Sequence, residues 1–159
     1  MRTLVVGLGN PVLRDDSVGW HVARRLRPLL ADREGIEVEE CCRGGLDLME
    51  RLVGYDRAII VDAITTGAPP GTIHRTTPAA IPTRNSASSH DVTLPAALEL
   101  GRRAGAELPA DDAILLVGVE AADTATFSEQ CTPAVQNAVP EAVELVAAEL
   151  ERKRMNPWP

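Results

Sequence analysis

Cysteine is scarce in this chain: three residues in 159, at positions Cys41, Cys42 and Cys131. The count is odd, no C-x-x-C occurs, and the adjacent Cys41 and Cys42 do not make a zinc pair. A disulfide framework and a thiolate zinc site are thereby disfavoured, and buried, inert thiols are the expectation. Long apolar runs are missing as well, so no segment reads as a membrane span, and Arg2 leads into a strand rather than a signal-peptide core. Positive charge is in deficit: 16 Lys and Arg against 23 Asp and Glu leave a formal net charge of −7. That balance argues against nonspecific binding to nucleic acid or to anionic membranes, both of which reward basic surfaces. A cytoplasmic protein is expected. No internal repeat or low-complexity segment is present. With 45% hydrophobic and 25% charged residues, the chain has the balance of a globular domain with a real core.

The apolar pattern alternates between two periods. Strands are predicted at 3–8 (TLVVGL), 36–42, 57–61 (RAIIV) and 113–119 (AILLVGV), with an edge strand at 72–76 in an otherwise loop-like stretch from Thr65 to Ser89. Helices are predicted at 17–30, where Val18, Val22, Leu26, Leu29 and Leu30 recur, and around 46–53, 93–104 and 133–152. Pro133 suits the first turn of the last of these. Strands alternating with helices imply a three-layer α/β/α sandwich, with a mostly parallel sheet of about five strands and one antiparallel edge strand. One domain is expected over 1–152, followed by a loose tail at 153–159. In such sheets ligands gather beyond the carboxyl ends of the strands, so residues just after strands carry the chemistry.

The first strand runs into "VVGLGNPVLRDDSVG". Gly7-Leu8-Gly9 begins like a dinucleotide loop, but the third glycine is missing and Pro11 has no N–H to offer. Asp15 and Asp16 would moreover repel a pyrophosphate at a helix N-terminus. Helix capping is a sufficient role for Asp15. Asp62 directly follows an apolar strand, where a carboxylate is either a turn former or functional. His90 stands in "NSASSHDVTLPAALEL", after the long loop and before a helix. The Ser-Ser-His-Asp string is no triad, because neighbouring side chains point apart, and there is no G-x-S-x-G elbow. His21, in helix 1, and His74, in the edge strand, fit structural roles. Asp16, Asp62 and His90 should reach one rim of the fold. Two carboxylates and an imidazole suit a catalytic or transient first-row metal with open positions.

The segments "VVGLGNPVLRDDSVGWHVARRL", "IIVDAI", "SSHDVTLPAAL", "LLVGVEAAD" and "TPAVQNAVPEAVELV" together resemble the hydrogenase maturation endopeptidases. These enzymes cleave a C-terminal extension from the large subunit of nickel-iron hydrogenases. The resemblance implies that Asp16, Asp62 and His90 are the catalytic and metal-contacting residues, with Asp16 at a position often held by Glu. It implies nickel presented by the precursor rather than permanently bound, and a protease whose partner is the large-subunit precursor; one small domain with no long heptad pattern reads as a monomer. Asp62 is the candidate base that activates water, through the metal or directly. One loop departs from the family: Glu40-Cys41-Cys42-Arg43-Gly44-Gly45 replaces the usual Asp-Gly-Thr after the second strand. Two other readings compete. Peptidyl-tRNA hydrolase also opens with "GLGNP", but its turn supplies a histidine where this chain has Arg14-Asp15-Asp16-Ser17. A noncatalytic nickel-binding chaperone would use the same three ligands without hydrolysis.

Overall fold

The computed structural model describes residues 1–80 and 92–152. Along the chain it runs β1 (Thr3–Leu8), a 3-10 turn (Arg14–Ser17), α1 (Val18–Leu29), β2 (Ile36–Cys41), α2 (Gly45–Leu52), β3 (Arg57–Ile64) and β4 (Ile73–Thr76). It continues with α3 (Leu94–Arg103), a second 3-10 turn (Asp111–Ala113), β5 (Ile114–Glu120) and α4 (Pro133–Glu151). The predicted elements are all present, including the edge strand. Residues 153–159, expected as a loose tail, lie outside the described residues. No helix among the described residues is long and apolar enough to cross a membrane.

The five strands lie in the order β2-β1-β3-β5-β4, all parallel except β4, which pairs antiparallel with β5. Side chains of alternate residues face opposite layers. Val5, Ile59, Val61, Leu115 and Val117 pack against α1 and α4. Leu4, Val6, Leu8, Ile60, Ile114 and Leu116 pack against α2 and α3. Burial on both faces explains why β1, β3 and β5 are nearly continuous apolar runs. The outer strand β2 is the polar one. Its Glu37, Glu39 and Glu40 pair with Arg2, Arg51 and, for Glu40, Arg24 and Arg27, which keeps this edge charged.

Helix α1 sits unusually close to the sheet. A Cβ on Gly7 would lie 2.2 Å from the Gly19 carbonyl oxygen, and one on Gly19 would lie 2.3 Å from the Val61 oxygen and 2.5 Å from the Leu8 oxygen. Both positions therefore require glycine for a backbone-to-backbone approach, and the first turn of α1 rests on β1 and on β3 beside Asp62.

Two strands outrun their predicted ends. β3 continues through Asp62 to Ile64, and β5 continues to Glu120, because the parallel ladder pairs Asp62 with Gly118, Ala63 with Val119 and Ile64 with Glu120. Asp62 is thus inside its strand and does not follow it. A charged residue ends an apolar run in sequence without ending the hydrogen-bonded ladder.

Candidate active site

The strand order reverses direction between β1 and β3: β1 leads outward to β2, whereas β3 leads toward β4 and β5. Crevices of open α/β sheets form at such a switch point, beyond the carboxyl ends of the strands. Asp16 lies in the turn after β1, and Asp62 lies within β3, the two strands that flank this point. The turn carrying Asp16 packs against β3.

The Asp16 turn is built by close approach and strain. Gly9 has φ 144°, and a Cβ there would lie 1.9 Å from the Asp16 carbonyl oxygen. Only glycine allows the chain to pass so near. The Asn10 N–H donates to Asp16 Oδ2 at 2.9 Å, which fixes the carboxylate, and Asp16 is only 5% exposed. Arg14, with φ 44°, is the one non-glycine residue with positive φ among the described residues. Such a conformation costs on the order of 1–3 kcal/mol and persists only where neighbours hold it. Here the Arg14 N–H donates to the Ser128 oxygen at 2.9 Å, and Ser17 Oγ donates to the Arg14 oxygen at 2.6 Å. Asp62 is fully buried, and the Ala63 N–H donates to its Oδ1 at 2.9 Å.

Asp15 does not cap helix 1. It is fully buried and accepts from the Ala122 and Asp123 N–H groups, each at 2.9 Å, and from the Thr132 N–H at 2.7 Å. Thr132 Oγ1 donates as well, at 2.8 Å. Asp15 thereby ties the Asp16 turn to both ends of the segment between β5 and α4. Adjacent acids in sequence have separate tasks: Asp15 ties the turn to the segment before α4, and Asp16 accepts from Asn10 within the turn.

His90, the third predicted ligand, lies outside the described residues. Among the described residues no group of three His, Cys, Asp or Glu could hold a metal ion.

A model of the HycI family, described as hydrogenase maturation protease, matches residues 20–149. The chain belongs to the hydrogenase maturation protease family. Asp62 and His90 fall inside the matched residues, and Asp16 precedes them. Hydrogenase 2 maturation protease of Escherichia coli K12 is 28% identical over 162 aligned positions, covering 100% of this chain and 96% of that protein. The hydrogenase expression/formation protein HupD of Thiocapsa roseopersicina is 25% identical over 145 residues; the match covers 89% of this chain but only 64% of HupD. The solved structure of the hydrogenase maturating endopeptidase HybD from E. coli superposes with a TM-score of 0.73 at 28% identity, covering 94% of this chain and 92% of that one. These matches favour a peptide hydrolase and lend no support to the peptidyl-tRNA hydrolase or chaperone readings.

In this maturation protease the sequence reading passed over Glu120. It closes β5 with 1% exposure and accepts from the Thr66 N–H (2.7 Å), Thr66 Oγ1 (2.8 Å) and the Gly67 N–H (3.0 Å), with His74 Nε2 3.3 Å away. Burial pushes its carboxyl up, but the Thr66 and Gly67 donors and His74 outweigh burial and hold it below the usual carboxylate range. A depressed folded-state value contributes stability above the unfolded pKa of about 4.3, lost as pH falls through the lower folded value. Glu120→Gln is therefore expected to lower the melting temperature most at neutral pH, with the gap to the parent closing below pH ~4. Melting curves at stepped pH check this. The only hint in sequence was a glutamate ending an apolar strand.

The cysteines divide. Cys41 and Cys131 are buried, and burial pushes both thiols up, as expected of inert groups. Cys41 Sγ donates to the Arg43 oxygen at 2.9 Å. Cys42 is exposed, contrary to expectation, because the chain leaves β2 there for the loop before α2.

Proposed function

We propose that this protein removes the C-terminal extension of a nickel-iron hydrogenase large-subunit precursor after nickel has been loaded. The observation that carries this reading is the match of the chain to the hydrogenase maturation protease family, supported by two buried acids, Asp16 in the turn after β1 and Asp62 in the neighbouring strand β3. Nickel belongs to the substrate: the precursor's cysteine thiolates hold it, and Asp16, Asp62 and His90 add oxygen and nitrogen donors to its open positions. That shared ion sets the scissile peptide against the acids and makes cleavage depend on a loaded precursor.

Asp62 is the general base. It takes a proton from water as the water oxygen bonds to the scissile carbonyl carbon. The C–N bond then breaks, and the departing amine receives the proton that Asp62 took from water, which restores the carboxylate. Such a base contributes on the order of 10²–10⁴-fold. No covalent nucleophile enters the scheme. The protease acts as a monomer in the cytoplasm, where an unassembled precursor is available.

Intact-mass spectrometry of nickel-loaded and nickel-free precursor, each incubated with the protein, tests the reading. The loaded form is expected to lose a short C-terminal peptide and the nickel-free form to stay intact. A loaded precursor of unchanged mass contradicts the reading.

A further inference from the structure

Phe127 is the single phenylalanine of the chain, and it is 83% exposed. A mobile loop would let such a side chain turn inward, yet the backbone on both sides of Phe127 is held. Asp123 Oδ1 accepts from the Ala125 and Thr126 N–H groups at 3.0 Å each. The Thr126 hydroxyl, followed by these two N–H donors, holds the Asp123 carboxyl down at about 2. On the other side Leu13 and Ser128 form a parallel bridge, in which the Ser128 N–H donates to the Val12 oxygen at 2.9 Å. Ser128 Oγ accepts from the Gln130 N–H at 3.1 Å, and His21 Nε2 lies 2.9 Å from the Glu129 oxygen. Asp15 pins both ends of the segment.

The residues just before the bridged pair are Val12 and Phe127, and Val12 is itself 41% exposed. An apolar pair is thus displayed on a rigid mount, joined through Leu13, Arg14 and Asp15 to the turn that carries Asp16. Pre-organised aromatic anchors of this kind carry much of the energy of protein–protein recognition.

We propose that Val12 and Phe127 form the surface on which the folded body of the hydrogenase precursor docks, against an apolar patch beside its C-terminal extension. The proposal rests on the protease reading above. Continuity with the acids selects this occupant: Val12 leads through Leu13, Arg14 and Asp15 into the Asp16 turn, and Phe127 stands beside the bridge to that turn, so a precursor that offers its extension to Asp16 rests its folded body on this pair.

Kinetics and binding of Phe127→Ser and Val12→Ser test it, with Phe127→Leu as the conservative control. Phe127→Ser is expected to raise KM for loaded precursor about tenfold, the loss typical of a truncated anchor, with kcat and melting temperature unchanged and most of the loss recovered in Phe127→Leu. Interferometry should show the same weakening for precursor lacking its extension. An unchanged KM overturns the proposal. So does weakening confined to extension-bearing precursor, which makes the extension the occupant. A parent dimer that Phe127→Ser converts to monomer also overturns it, by making a second copy the occupant. Should the parent cleave no precursor, the protease reading fails, while the binding measurement still decides the docking surface.

Discussion

Asp62→Asn is expected to slow processing of loaded precursor by at least about 10²-fold, the lower end for loss of a general base, with little change in stability. The asparagine oxygen can still accept the Ala63 N–H that Asp62 Oδ1 accepts at 2.9 Å, and the volume is conserved at a fully buried position. What is lost is the ability to take a proton. Asp16→Asn is expected to fall by a similar factor through loss of an anionic ligand to the substrate's nickel. Asp16→Glu should keep most of the activity, because a longer carboxylate reaches the same crevice. Progress curves by intact mass, with melting curves alongside, separate chemistry from folding. Parent-rate processing by Asp62→Asn removes it from the mechanism.

The second large effect falls on stability. Asp15→Ala is expected to cost about 3–5 kcal/mol, because it strands three backbone N–H groups and a hydroxyl in a buried site. It also unties the segment that holds Arg14 in its positive-φ conformation. Activity should fall with stability, since the Asp16 turn loses its tether, and an exposed acid replaced elsewhere should do neither. Asp15→Asn keeps the volume and one oxygen and should cost less, about 1–3 kcal/mol. Urea titration of the three proteins measures the series. A loss under 1 kcal/mol for Asp15→Ala would show that water satisfies those donors.

Much of this architecture was legible because the physics is local. The buried strands announce themselves as β-branched runs, and the helices as 3.6-residue periods with Thr93 and Pro133 at their starts. Of the candidate site, the positions of two acids in the fold were legible: Asp16 in the turn after β1, and Asp62 near the carboxyl end of β3, though inside the strand rather than after it. Long-range pairing was not legible. Nothing near Asp15 in sequence announces Ala122 or Thr132, more than one hundred residues away, so capping looked sufficient. β3 and β5 run past their apolar stretches because each supplies the other's ladder partners, and Glu120 becomes a buried carboxylate only when Thr66 and Gly67 fold back on it. Cys42 differs from Cys41 by one step past the strand end, a distinction that composition does not carry.

X-ray absorption at the nickel edge of loaded precursor, recorded alone and after rapid mixing with the protein, tests the shared ion most directly. Additional oxygen and nitrogen scatterers at nickel are expected on mixing, lost with Asp16→Asn and with His90→Ala. An identical spectrum with and without the protein would contradict it.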